Sequence, residues 1–319
     1  MPMNRRRFLA AGCTLPLLAA CGPPRPLVRV ASIVWVGYEP LFLARELGLL
    51  DEQAVRLVEM PSNTMSLMAL ASGEVEAAAL TLDECLLARE GGLDVRAVLV
   101  FDDSAGADVV MARPDIRRPA QLAGRRIGLE ETAAGALMLS KTLEIAGLDP
   151  EQVIKVPLTA DRQLAAWQDD TVDALVSYEP HATRLEALGA HRLLDSRAFP
   201  GLIVDVLVAR TAALEPAPDS FRSLIAAYFS ALDHLRREPR DAAARMAPRM
   251  GIAPDAVLAA LRGVRLMDAA ANRAWLAGEP PRLLAAAERV AAIMRASRLL
   301  HGPVDLTGLA DPRFLPEAV

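Results

Sequence analysis

The chain has 319 residues, of which 53% are hydrophobic and only 4% aromatic, and its formal net charge is −5. That balance gives a globular protein with a large core and excludes a disordered chain. A mildly acidic chain with no basic run beyond its first residues is also a poor partner for nucleic acid. Three cysteines and four scattered histidines (His181, His191, His234, His301) make no metal motif, and no P-loop or dinucleotide fingerprint is present, so neither a metal nor a cofactor is expected.

In chain order, the first feature is Arg5, Arg6 and Arg7, then Phe8-Leu9, a short apolar stretch and Leu18-Ala19-Ala20-Cys21. A basic start, a brief apolar run and small residues before a cleavage point read as a secretory signal, since a membrane span needs about 20 apolar residues. The consecutive arginines resemble a twin-arginine export signal, and Leu18 to Cys21 resembles a bacterial lipobox. The resemblance implies a signal peptide over 1–20, lipidation of Cys21 and a lipidated linker over 21–26. The mature chain would be held on a membrane surface rather than inserted in it. With Cys21 lipidated, Cys85 is the lone cysteine of the mature domain, and it reads as a small buried apolar residue.

Beyond the Pro-rich spacer, strand-like and helix-like segments alternate. Strands are expected over 28–33, 55–59, 77–80 and 95–101, with helices over 40–49, 66–71 and 83–90. The pattern restarts with strands at 109–112, 126–129, 153–157, 174–176 and 192–194, and helices at 133–146, 162–168 and 180–188. A β-rich run covers 203–209. From 219 to 297 nearly everything reads as helix, with Pro239, Pro248, Pro254 and the Pro280-Pro281 pair as breaks. The expected fold is α/β with two lobes, each a mostly parallel sheet flanked by helices, and a helical C-terminal portion. One lobe takes 27–108 and 210–319 and the other 109–209, with crossings at 109–112 and 203–209. Ligands bind beyond the carboxyl ends of strands in such sheets, so the residues following each strand should face an interlobe cleft.

The first strand runs into Trp35-Val36-Gly37-Tyr38-Glu39-Pro40, where Gly37 permits a tight turn, Pro40 presets a helical turn and two flat rings stand where a ligand would sit. Here the sequence resembles the periplasmic solute-binding proteins of ABC importers for nitrate, sulfonates, taurine and thiamine-pyrimidine precursors. The residues that carry the likeness are Trp35-x-Gly37-Tyr38-x-Pro40, Leu70-x-x-Gly73-Glu74-Val75-Glu76-Ala77 and Asp102-x-Ser104-x-Gly106-x-Asp108, then Leu122-x-Gly124 and Ala174-x-x-x-Tyr178-Glu179-Pro180. The resemblance implies a type II two-lobed binder, a monomer, that closes around a small-molecule solute without chemistry and delivers it to an ABC permease and its ATPase.

Carried over by position, Trp35 and Tyr38 would be wall aromatics, and Asn63 and Thr81 would supply hydrogen bonds. Asp83 fits a pocket residue or a helix N-cap. Asp102, Ser104 and Asp108 lie beside the first crossing, Thr132 opens a second-lobe helix with its amides toward the cleft, Tyr178 and Glu179 follow a second-lobe strand, and Asp205 lies on the returning crossing.

Asp102, Asp103, Asp108, Glu130, Glu131, Glu179 and Asp205 gather at predicted strand ends, where arginines are few. Carboxylates and aromatic faces suit an amine, an amidine or an aminopyrimidine-like heterocycle better than an oxyanion. The helix opening at 132–135 also makes an anion site, which keeps nitrate, a sulfonate, taurine or bicarbonate as the alternative solute. An enzyme of the thiamine-pyrimidine synthase type shares the resemblance, but its cysteine-rich motif has no counterpart in a domain whose one cysteine is Cys85.

Overall fold

A computed structural model of the chain describes residues 26–130 and 133–317. Residues 1–20, read above as an export signal, and Cys21, Glu131 and Thr132 therefore lie outside the described residues. The first run of elements is β1 (Val28–Ser32), α1 (Glu39–Glu46), β2 (Val55–Glu59), α2 (Asn63–Ser72), β3 (Ala77–Thr81), α3 (Leu82–Glu90) and β4 (Val95–Ser104). The second is β5 (Asp108–Ala112), β6 (Arg126–Leu129), α4 (Ala133–Ala146), β7 (Ile154–Pro157), α5 (Gln163–Gln168), β8 (Ala174–Tyr178), α6 (His181–Ala187) and β9 (His191–Asp195). The chain then returns through β10 (Val204–Arg210), α7 (Thr211–Leu214), α8 (Pro218–Arg237), α9 (Pro239–Met250), α10 (Pro254–Leu261), β11 (Val264–Leu266), α11 (Ala269–Leu276) and α12 (Arg282–Ala296).

These strands form two sheets, β11-β4-β10-β3-β1-β2 and β7-β6-β8-β5-β9. The chain leaves the first sheet at Ser104, enters the second at Asp108, and rejoins the first at Val204. The two crossings are stapled to each other. Ser104 Oγ lies 2.9 Å from Ser196 Oγ and accepts the Asp108 N–H at 3.2 Å, while Ser196 Oγ accepts the Gly106 N–H at 2.7 Å.

The sheets are mixed, where a mostly parallel pattern was expected. The β1–β2, β1–β3, β6–β7 and β6–β8 pairs are parallel, but β10 runs antiparallel to both β3 and β4, and β5 antiparallel to both β8 and β9. The cause is the crossing itself, since a strand that arrives from the other sheet runs opposite to those built by helical crossovers.

Two further differences lie in the C-terminal portion. β11 stands where continuous helix was expected and pairs antiparallel with the end of β4, so that Arg265 is opposite Asp103. Pro248 does not break its helix but sits inside α9, which ends at Gly251 in the left-handed conformation. The C-terminal helices pack on the first sheet, and the amphipathic α8 buries Phe221, Leu224, Ile225, Tyr228 and Leu232 against it.

Candidate functional site

A narrow hollow lies between the carboxyl ends of the two sheets. Its walls come from the first sheet and its loops (Ile33, Trp35, Tyr38, Asn63, Thr81, Asp205) and from the second (Asp108, Glu130, Ala134, Gly135, Gln163, Val176, Ser177, Tyr178). Its free volume is about 40 Å³, so the walls stand close together.

Sheet register lays out the polar groups. Asp205 of β10 stands opposite Thr81 of β3 on one side and Asp102 of β4 on the other, a row of three across neighbouring strands. In the second sheet Asp108 stands opposite Tyr178. Over the first row lies the loop from β1 to α1, whose Trp35 Nε1–H donates to Asp102 Oδ2 at 3.3 Å and whose Tyr38 O–H donates to Asp205 Oδ1. The Trp35 ring meets Tyr38 edge-on with centroids 6.4 Å apart and Tyr178 at 5.7 Å, so three aromatics from both sheets form one wall. Trp35 and Tyr38 are 4% and 1% exposed, and thus belong to the core as well as to the wall.

Gly37 lies in the tight turn closed by the Tyr38 N–H donating to the Trp35 carbonyl at 2.9 Å, and it also serves this loop by lacking a side chain. A Cβ there would stand 1.9 Å from Asp102 Oδ2 and 2.5 Å from Trp35 Nε1. Gly135 plays the same part in α4, where a Cβ would meet the Glu130 carbonyl oxygen at 2.3 Å.

Burial dominates the electrostatics. It lifts the Asp102 carboxyl to about 8 and Asp108 to about 7, and pushes Asp205 well above the carboxylate range with help from its neighbours Asp102 and Asp108. Behind them, burial raises Asp83 to about 6 and, with Asp83 beside it, Glu84 to about 8. These groups hold protons more tightly folded than unfolded. Their stabilisation is present below about pH 4 and is lost as pH rises through 6 to 8. In contrast, Glu76 and Asp173 are held below the usual range by Arg29 and Arg126, stabilisation that disappears as pH falls below about 4. The melting temperature of the solute-free protein should therefore be highest near pH 4 to 5 and fall toward pH 8. Calorimetric scans at pH 5, 6.5 and 8 check this, and a melting point that climbs steadily to pH 8 would contradict it.

Of the residues expected in the site, the structure brings Trp35, Tyr38, Asn63, Thr81, Asp108, Tyr178 and Asp205 to the hollow. Asp102 stands behind Trp35 and Asp205, fully buried, and shapes the wall without forming its surface. Ser104 is spent on the staple between crossings. Asp83 is in neither place foreseen for it. Thr81 is the N-cap, and Asp83 sits inside the first turn of α3, buried and away from the walls. Glu179 also lies off the hollow, because Arg192 claims it in an ion pair and Thr183 donates to it from N–H at 3.2 Å and Oγ1 at 2.8 Å. Arg265 takes Asp103 in the same way.

Several wall residues were not foreseen. Gln163 and Ser177 hydrogen-bond each other at 2.6 Å, and Gln163 Nε2 donates to the Val176 carbonyl at 2.9 Å, so this stretch of wall is already satisfied. Glu130, read from sequence only as part of an acidic group, reaches across the hollow. Its Oε1 accepts the Thr64 N–H at 2.9 Å and Oγ1–H at 2.5 Å, linking the loop after β6 to the first turn of α2. Among the described residues that line the hollow, none is Lys, Arg or His.

Two open sheets joined by paired crossings, with a hollow between their strand ends, define the two-lobed α/β fold of solute-binding proteins. The chain belongs to the NMT1/THI5-like family, whose profile matches residues 36–242. It is similar to the taurine-binding periplasmic protein of Escherichia coli (strain K12), at 26% identity over 121 residues, a stretch that covers 38% of this chain and 38% of that relative. In structure it resembles the alkanesulfonate-binding protein SsuA from Xanthomonas axonopodis pv. citri bound to MOPS, with a TM-score of 0.72 and 20% identity over 92% of this chain and 99% of the other. The desulfurization enzyme DszB shares the fold at a TM-score of 0.65 and 22% identity, over 91% of this chain and 98% of the enzyme.

Proposed function

We propose that this chain is the substrate-binding component of an ABC import system on the periplasmic side of a bacterial membrane. In this reading it is anchored through a lipid on Cys21, captures a small polar nitrogen-containing solute between its lobes, and passes it to the permease. The lobes are assigned as 27–108 with 210–319, and 109–209. The solute class is an amine, an amidine or an aminopyrimidine-like ring. The observation that carries this reading is the lining of the hollow: aromatic rings with Asp108, Glu130 and Asp205 and, among the described residues, no cationic side chain. A charged solute enclosed away from water needs an opposite charge or loses several kcal/mol to desolvation. Opening would break the Glu130–Thr64 link, and closing on the solute would remake it.

The oxyanion alternative draws its support from the taurine-binding and alkanesulfonate-binding relatives. The likeness to DszB raises an enzyme, but here the Cys85 thiol is fully buried and pushed up to about 12 by that burial, which leaves no thiolate for nucleophilic work. A thermal-shift panel of aminopyrimidines, polyamines, amidines, taurine, alkanesulfonates, nitrate and bicarbonate tests the reading. A solute at 100 times its dissociation constant should add about 2.7 kcal/mol. Stabilisation by nitrogen bases is the expected result; stabilisation by the anions alone would select the alternative, and catalytic turnover would defeat binding as the function.

A further inference from the structure

The wall of the hollow holds buried oxygens that the protein leaves open to a guest. Asn63 Oδ1 from α2 and Asp108 Oδ2 from β5 are buried without a hydrogen-bond partner, and Asp205 of β10, which accepts from Tyr38, shares a hydrogen bond with the Asp102 carboxyl beside it; Asn63, Asp108 and Asp205 all line the space. Asn63 and Asp205 are 8% and 2% exposed. Buried acceptors left unmet cost free energy, and those that converge on one hollow mark where N–H donors of a guest belong.

The groups facing these carboxyls share one sign. Asp205 meets Tyr38 from the β1–α1 loop, Asp102 from β4 and Asp108 from β5, with Glu84 of α3 and Tyr228 of α8 nearby. Asp108 meets Ser104, Tyr178 and, further off, Asp83. Asp103 is neutralised by Arg265, and Glu130 by no cation but by Thr64. The nearest imidazole, His181, packs on Tyr178 with ring centroids 5.3 Å apart. Carboxyls this close and this dry cannot all be ionised in an empty hollow.

We propose that the hollow captures an amidinium- or guanidinium-type cation by proton exchange, with Asp205 acting as a carboxylic acid when it is empty and as a carboxylate acceptor when it is filled. This rests on the solute-binding reading above and adds to it how the site is charged. In the exchange a carboxyl O–H bond breaks, its proton leaves to solvent, and the carboxylate accepts N–H bonds from the guest, so that the charge brought in by the cation is balanced by the proton released. The rings of Trp35, Tyr38 and Tyr178 line the hollow and favour a flat cation.

Benzamidinium, which stays a cation from pH 5 to 8, is the probe. Titration calorimetry of the protein at pH 7 in phosphate and in Tris, whose ionisation heats differ, should give different apparent heats, and affinity should rise about tenfold per pH unit between 5 and 7 for one proton released. His181 stays neutral over that range, because burial pulls its imidazole down to about 4. Asp205→Asn keeps a hydrogen-bonding side chain that cannot ionise, and should weaken binding and flatten its pH dependence. Should that variant fail to fold, the two-buffer comparison on the native protein decides alone. Equal heats in both buffers with affinity flat in pH would overturn proton exchange. If taurine or nitrate stabilises the protein while benzamidinium does not bind, solute binding stands and this inference falls.

Discussion

Arg192→Ala is expected to destabilise the protein by about 3 kcal/mol. Arg192 of β9 pairs with Glu179, whose side chain is only 3% exposed, as well as with Glu186, and it donates to the Gly106 carbonyl at 3.1 Å in the first crossing. Removing the guanidinium leaves Glu179 charged, buried and served only by Thr183, and breaking one half of a buried pair costs about 3–5 kcal/mol. The lower end applies because Arg192 is itself 28% exposed and solvent partly replaces it. Arg197→Ala is the control. Its side chain is 71% exposed, its partner Asp195 is two residues away, and such a pair contributes about 1 kcal/mol or less. Urea unfolding midpoints for the two variants measure the difference, and equal losses would show that burial does not set the value of the Arg192 pair.

The same pair shows where the sequence stopped being informative. Local features are legible because they rest on short-range rules. The β1–α1 loop with its rings, the Gly147 and Gly73 helix ends and the alternation of strands and helices all depend on residues a few positions apart. The carboxylate count near the strand ends misled in two of its members, because what neutralises a carboxylate is a long-range fact. Asp103 meets Arg265 from a strand hidden among helices, and Glu179 meets Arg192 across β8 and β9. β11 is only three residues long, too short for its alternation to stand out from the helical pattern on either side. Gln163 escaped notice because a lone polar residue opening a helix reads as surface, whereas here it is 1% exposed and bonded to the end of β8. Asp83 shows the opposite failure. Its spacing before an apolar helix fits a cap, but the capping box belongs to Thr81 and Glu84, with the Thr81 N–H donating to Glu84 at 3.0 Å.

Gly37→Ala is expected to abolish solute binding while lowering stability by about 1–3 kcal/mol, the usual range for forcing a methyl into a packed interior. The added carbon would stand 1.9 Å from Asp102 Oδ2, and that carboxyl has little room to retreat. It is fully buried, hydrogen-bonded to Trp35 Nε1 on one side and beside Asp205 in the sheet register on the other. Accommodation therefore falls on the loop, and a shift of the loop moves Trp35 and Tyr38 together, since Gly37 lies between them. Both rings line the hollow, and a misplacement of about 1 Å in a positioned group can cost two orders of magnitude in function. The check is the stabilisation conferred by whichever panel solute raises the melting point of the native protein, measured in parallel with the unfolding free energy of the variant. Gly92→Ala is the comparison for an ordinary glycine cost. Gly92 has a left-handed φ of +83° and nothing within 4 Å of an added Cβ, so it should lose stability from backbone strain with no effect on binding. If Gly37→Ala bound its solute as the native chain does, the contact between Asp102 and Trp35 would not be what fixes the aromatic wall, and the carboxyl row behind that wall would have to be set by the sheet alone.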